Sequence, residues 1–232
     1  MPRSHAAVLL ADRIFDDLKG RIVRFDLRPG ERLLEEDLAR QWHASRTPIR
    51  EACKRLVQAG LIRAVPRRGY YVREINLPEV EELYEVRVAL EAFAVTLATE
   101  RGRGADWEAL ARRWARVPDP LPSPDTMLEL DEGFHLAVAE AGGNRALLEY
   151  LRMVNERIRA VRAKDFTNPD RIRTTYAQHA GIVRLIATGD AAGASGAMQA
   201  HILESKANVV NAVKELLAAV YLRERGDGGC RM

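Results

Sequence analysis

A chain of 232 residues exceeds one average domain, so two domains, each large enough to bury a core, are expected. Its 47% hydrophobic and 30% charged content excludes intrinsic disorder, and its longest nearly apolar stretches, such as Ala89 to Ala98 with Glu91 inside it, are too short to cross a bilayer. The net charge of +3 is uneven: residues 1–76 carry 16 basic and 10 acidic side chains and the remainder 20 and 23, so the positive field belongs to the N-terminal third.

The N-terminus lacks a secretory leader pattern, and Cys53 and Cys230 lie far apart. A cytoplasmic protein with two reduced thiols is therefore expected, with neither a disulfide framework nor a Cys-based zinc site. Along the chain, Ile14, Leu18 and Ile22 recur at helical spacing and predict a first helix ending before the turn Leu27-Arg28-Pro29-Gly30. Two short helices follow. One, near Glu35 to Trp42, is expected to place Leu34, Leu38 and Trp42 on one side; the other, near Arg46 to Ala59, to turn Ile49, Leu56 and Val57 inward. Only His43, Ala44 and Ser45 separate them, which predicts a tight helix-turn-helix. Ser45 or Thr47 can cap the second helix, and Pro48 is tolerated in its first turn, where amides lack intrahelical acceptors.

Gly60 stops that helix, and Leu61 to Val65 and Tyr70 to Val72 read as two strands around Pro66-Arg67-Arg68-Gly69, a hairpin in the position of a wing. Asn76-Leu77-Pro78 marks a boundary. From there to about Arg223 the punctuation by Gly and Pro predicts helices over 78–101, 105–117, 124–142, 144–164, 169–188 and 191–223, joined by short connections. The expected fold is thus mainly α: a winged helix-turn-helix with a small β-hairpin over residues 1–76, an antiparallel all-α bundle of six to seven helices over 77–225, and a frayed tail over 226–232.

Ser45 to Arg73 holds eight basic residues against the single acid Glu51, which suits a polyanion, although on charge alone a solvated basic face serves equally well. Arg46 and Arg50 stand one helical turn apart, opposite the apolar face, as in a recognition helix. Arginine can bond the O6 and N7 of guanine bidentately, Thr47 and Lys54 are placed for phosphates or a thymine methyl, and Arg67 and Arg68 at the hairpin tip can reach a minor groove, with Gly69 allowing close backbone approach. The alternative is that these arginines are solvated or pair with Glu51 and Glu36.

The run Leu34-Glu35-Glu36-Asp37-Leu38-Ala39, then Ser45-Arg46-Thr47-Pro48-Ile49-Arg50-Glu51-Ala52, Leu56, Gly60-Leu61 and Arg68-Gly69-Tyr70-Tyr71-Val72 resembles the winged helix-turn-helix of GntR-family regulators. The resemblance implies that Arg46, Thr47 and Arg50 read double-stranded operator DNA, assisted by the Arg68-Gly69 wing. Where some members carry a DNA-contacting arginine, this chain has Glu36, so no DNA role is carried to that position.

In the second domain His135 stands four residues after Asp131, on one helical face, and His179 and His201 fall on consecutive helices 22 residues apart, so antiparallel packing can bring them level. By spacing alone, a metal site competes with buried histidines bonded singly to a carboxylate or carbonyl. Asp131-Glu132-Gly133-Phe134-His135, Gly143-Asn144, His179, Gly189-Asp190 and Met198-Gln199-Ala200-His201-Ile202 resemble the FCD sensor domain of the same family. That resemblance implies a divalent metal, zinc, nickel or manganese, on Asp131, His135, His179 and His201, which helps to hold a small carboxylate effector. Gln178 departs from the pattern, since a Glu commonly stands there, but it is not a ligand position.

Arg87 resembles a family arginine that faces the cavity and could pair with an anionic ligand; the alternative is a surface Arg paired with Glu91. Asn155, Arg159 and Asn208 are further candidates of that kind. The reading is a ligand-responsive transcriptional regulator, a homodimeric repressor, with no membrane partner. Two other classes are weighed: a metal-dependent hydrolase, for which Glu132 and Glu140 are poorly placed as general bases, and an architectural DNA-binding protein, which has no use for a polar ligand set inside a bundle.

Overall fold

The computed structural model describes residues 2–23, 26–102 and 104–227. The chain divides into a compact unit ending at Asn76 and a second beginning at Leu77. The first contains α1 (Pro2–Val23), β1 (Arg32–Leu33), α2 (Glu35–Gln41), α3 (Arg46–Gln58), β2 (Ile62–Val65) and β3 (Gly69–Val72). Ile14, Leu18 and Ile22 form the buried stripe of α1, and Ile49, Ala52, Cys53 and Leu56 form that of α3, so the two helices close on a shared apolar core. Arg55 fastens the rim of this contact, with its Nη1 donating to Asp12 Oδ1 at 2.5 Å and its guanidinium lying over the Phe15 ring.

Gly60, at φ +68°, ends α3, with its own amide donating to the Val57 carbonyl and that of Leu61 to the Leu56 carbonyl. β2 and β3 pair antiparallel from Ile62↔Val72 to Val65↔Gly69, and β1 joins the far side of β3, giving the order β1-β3-β2.

Several local expectations are corrected. Val57 is 36% exposed rather than inward, and Leu34 is 38% exposed while Leu38 is buried. Leu34 is the residue at which the backbone enters α2, so its side chain leaves the apolar face that Leu38 occupies. Ser45 sits at the N-cap of α3 without a side-chain cap bond, and Thr47 lies inside the helix, so neither caps it; the exposed first-turn amides are left to solvent. The wing is one edge of a three-stranded sheet, since the two residues of β1 carry too little pattern to be recognised as a strand.

The second unit is all-helical among the described residues: α4 (Leu77–Arg101), α5 (Trp107–Trp114), α6 (Pro124–Ala141), α7 (Arg145–Arg162), a single 3-10 turn (Asp165–Thr167), α8 (Pro169–Ala187) and α9 (Ala191–Asp227). α4 packs on α6, α7, α8 and α9. The helix starts follow capping chemistry, for Asp106, Ser123, Asn144 and Asn168 each accept a first-turn backbone amide. Asp106 thereby delays the start of α5, and Trp114, buried against Phe134 and Tyr176, ends it short of the expected Val117. Gly226 and Asp227 complete α9 instead of fraying, and residues 228–232, Cys230 among them, lie outside the described residues. Burial, then the nearby Glu35, pushes the Cys53 thiol up to about 12, which keeps it protonated and inert. No helix of the described residues is long and apolar enough to cross a membrane.

The adjacent pair Leu56 and Val57 tests this packing. Leu56→Ala is expected to cost about 2–5 kcal/mol and Val57→Ala less than about 0.5 kcal/mol. Native-state hydrogen exchange of the α3 amides in the whole protein reads the difference, and equal effects would refute the assigned core face.

Candidate functional site

The helical unit buries a layer of polar groups. Asp131 and His135 project from one face of α6, His179 from α8 and His201 from α9, all four buried, and one ligand atom from each lies within 4.8 Å of the others. His135 Nε2 is 3.6 Å from Asp131 Oδ1 and 3.3 Å from His201 Nε2; His179 Nε2 is 3.4 Å from the same carboxylate oxygen and 3.2 Å from His201 Nε2. Four donors on a tetrahedron with metal bonds of about 2.0–2.1 Å would stand roughly 3.3–3.4 Å apart. These four separations bracket that value, and all four atoms lie within 4.8 Å of one another.

Neighbouring groups fix the tautomers. His135 Nδ1 faces Glu91 Oε2, so that nitrogen carries a hydrogen and Nε2 is the atom turned toward the other three residues. Gln178 Oε1 accepts from Arg171 Nη1 at 3.0 Å while Gln178 Nε2 donates to Glu204 Oε2 at 2.7 Å, which identifies the oxygen that faces His201 Nδ1 at 2.7 Å. His201 Nε2 is then a bare lone pair. It converges in a dry interior with His135 Nε2, His179 Nε2 and Asp131 Oδ1, and this convergence of buried donor atoms is the observation that fits the residues to a divalent metal. His179 is held differently: its ring stacks on Phe134 at 3.7 Å between centroids and meets the edge of Trp114, while its buried Nδ1 has no hydrogen-bond partner.

Burial would raise the carboxyl of Asp131, but His135 and Arg162 outweigh it and hold the group well below the usual carboxylate range. Burial, with the other histidines adding to it, pushes His201 well below the usual imidazole range. Burial also pushes His179 well down, outweighing the pull of Asp131 in the other direction. The carboxylate of Asp131 and the imidazoles of His179 and His201 are therefore in the forms a metal requires.

Around it lie groups that sequence reasoning missed. Arg162 donates to Asp131 Oδ2 at 2.5 Å and to Asn155 Oδ1 at 3.0 Å; Arg171 donates to Asp165 Oδ2 at 3.1 Å; and Ser205 Oγ donates to the same oxygen at 2.8 Å. Arg87 pairs with Glu91 at 2.6 Å, as the alternative reading had it, but both are 1% exposed, so this is no surface pair. Arg87 Nη2, Asn155 Nδ2 and Asp165 Oδ1 are buried without a partner among the described residues. Arg159 pairs with Glu132, which removes that acid from any role as a general base, and Asn208 is half-buried. Helical period could have flagged Glu91, one turn before Val95 on the buried face of α4. Nothing in the sequence marks Arg162 or Arg171 as interior.

In the first unit Ser45, Arg46, Thr47, Arg50 and Lys54 are exposed on α3, opposite the buried Ile49, Cys53 and Leu56. Arg46 Nη2 donates to Glu36 Oε1 at 2.6 Å and Arg50 Nε to Glu35 Oε2 at 2.8 Å, so Glu35 rather than Glu51 is the partner of Arg50. At the hairpin tip Arg67 and Arg68 are exposed, and Gly69 adopts φ +93°, a left-handed conformation that Arg67 also takes at +63°.

Comparison with known proteins agrees with this architecture. The gntR family of bacterial regulatory proteins matches residues 10–72, and the FCD domain matches residues 82–204. The Nta operon transcriptional regulator of Aminobacter aminovorans is 32% identical over 203 residues, covering 87% of this chain and 95% of that protein. The HTH-type transcriptional repressor GlaR of Escherichia coli (strain K12) is 28% identical over 201 residues, covering 80% and 89%. Among solved structures, E. coli McbR/YncC shares the fold at a TM-score of 0.61 and 22% identity over 87% of this chain and 97% of that one. The chain therefore belongs to the GntR family as a member with an FCD domain, and it is a DNA-binding transcriptional regulator rather than an enzyme.

Proposed function

We propose that the chain is a metal-dependent repressor whose operator affinity is set by a small carboxylate effector in the helical unit. The convergence of four buried donor atoms, all within 4.8 Å of one another, carries the metal part of this reading. Asp131, His135, His179 and His201 would hold zinc, nickel or manganese, and the bound ion would supply open coordination positions for an effector carboxylate or water. The carboxylate part rests on charge. Among the described residues three guanidiniums, Arg87, Arg162 and Arg171, are buried with three carboxylates, Glu91, Asp131 and Asp165, so the layer is neutral as it stands. A divalent cation leaves it with two positive charges that an anion offsets. Arg87 Nη2 and Asn155 Nδ2, buried donors without partners among the described residues, suit carboxylate oxygens, and Arg159, paired with Glu132, and the half-buried Asn208 are weaker candidates for the same role.

Arg46 and Arg50 read guanine in the major groove, Ser45, Thr47 and Lys54 contact phosphates with the uncapped amides of α3, and Arg67, Arg68 and Gly69 enter the adjacent minor groove. The regulator acts in the cytoplasm as a homodimer on a short inverted repeat. Val86 and Phe93 of α4 and Tyr150 and Met153 of α7 are exposed on two helices that pack together, and we assign this apolar face to the second copy. Effector binding shifts the bundle helices and so the dimer's affinity for its operator. An architectural protein without effector leaves the buried polar layer unexplained.

Arg50→Ala is expected to weaken binding to the selected operator by about 1–3 kcal/mol and relax base preference, whereas Arg67→Ala should weaken all sequences alike. Equal operator affinity of Arg50→Ala and the parent across a salt series would refute the recognition-helix assignment. For the metal, elemental analysis of dialysed protein should find a stoichiometric ion in the parent and a large loss in His179→Ala, with effector response lost and effector-free DNA binding little changed. A parent that holds no metal after supplementation with zinc, nickel or manganese leaves only a buried polar cluster. The pH dependence follows in sign. Because burial depresses His179 and His201, both are neutral above the ordinary imidazole value of about 6.5. Metal retention, and the stability tied to it, is full above that value and is lost as pH falls below it toward the depressed values. Retention that instead rises on acidification would contradict the ligand assignment.

A further inference from the structure

Glu91 touches both halves of the proposed site without being a ligand in either. Its Oε1 accepts from Arg87 Nε at 2.6 Å, its Oε2 faces His135 Nδ1, and its side chain is 1% exposed. Arg87 in turn has its Nη2 buried and unpartnered. One carboxylate is thus shared between a guanidinium on one oxygen and an imidazole on the other. A carboxylate on the far nitrogen of a metal-binding histidine fixes the ring and makes the near nitrogen a stronger donor. Arg87 draws on the same carboxylate and weakens that effect.

We propose that Glu91 is a positioning residue for His135 and couples the metal to the anion, because Arg87 and the metal-bearing imidazole compete for its charge. An anion seated on Arg87 Nη2 neutralises the competitor and leaves Glu91 to His135, so the site grips its metal harder. By reciprocity the metal strengthens the anion to the same degree. This rests on the metal reading above, and the test separates the two.

Zinc affinity of the full-length protein, measured by chelator competition, is the readout, with the visible spectrum of the cobalt-substituted form reporting the ligand field. Glu91→Gln is expected to lose roughly 10- to 100-fold in zinc affinity and to shift the cobalt bands. Arg87→Met should do the opposite and bind zinc more tightly, on the order of 5-fold or more, although its metal-free form melts lower. A general packing defect would weaken both variants alike. The double variant Arg87→Met/Glu91→Gln removes the buried pair together, keeps the fold, and should match Glu91→Gln alone. Zinc affinity of Glu91→Gln equal to the parent's, or a loss in Arg87→Met, overturns the coupling while leaving the metal site in place. A parent that takes up neither zinc nor cobalt overturns the metal reading and this inference with it.

Discussion

Arg87, Arg162 and Arg171 lie inside the helical unit with Glu91, Asp131 and Asp165 as their partners, and each of these six charges has lost its water. An ion taken out of water costs several kcal/mol even after relaxation, and the return depends on close partners on every side. The layer meets that condition by chaining its pairs. Arg162 bridges Asp131 and Asn155, Arg171 bridges Asp165 and Gln178, and Ser205 joins Asp165 to Tyr84. Six elements contribute: α4, α6 to α9 and the 3-10 turn between α7 and α8 supply side chains that meet only when the bundle closes. A network of this kind favours one packing over its near alternatives, because slipping a helix by one turn would leave charges unpaired.

The same constraint explains why His179 and His201 are neutral. With the guanidinium and carboxylate charges already matched, a protonated imidazole would be an unbalanced cation, and the arginines nearby oppose it. Phe134 and Trp114 complete the effect by walling His179 with rings instead of acceptors. The layer is thus set to receive charge from outside rather than to generate it by titration. On the proposed reading a metal and an anion would be complementary for this reason, since either alone would unbalance the interior and each would offset part of the other's charge.

The buried Asp/His cluster was legible in the sequence because helical spacing is a local signal. Asp131 and His135 share a face by arithmetic, and His179 and His201 straddle the turn at Gly189, whose φ of +78° reverses the chain. The family resemblance then supplied a reason to join them. What could not be read was the partner set. Arg162, Arg171 and Asp165 have nothing near them in sequence to mark burial, and charged residues are exposed by default. Glu91 was visible only as the next turn after Arg87, and a surface pair accounted for that spacing equally well. In the first unit the recognition helix was legible from its period. Val57 was misplaced because an apolar side chain beside Leu56 reads as core although it lies 100° around the helix. β1 escaped because two residues of strand have no period at all.

The two units handle charge in opposite ways, and this bears on how a signal can be written. On α3 the arginines stay in water, paired with Glu36 and Glu35 by contacts that solvent and salt weaken. Such pairs orient the guanidiniums while remaining easy to exchange for a phosphate or a base edge, so the reading face needs no remodelling to engage DNA. In the helical unit the pairs are dry, and exchanging one partner disturbs its neighbours through the chain of shared carboxylates. On the proposed reading a small anion would act where interactions are stiff and coupled, and DNA would bind where they are soft and independent. That division allows an effector to alter the bundle substantially without the recognition helix losing its own fold, which the packing of α3 on α1 maintains through Ile14, Leu18 and Leu56.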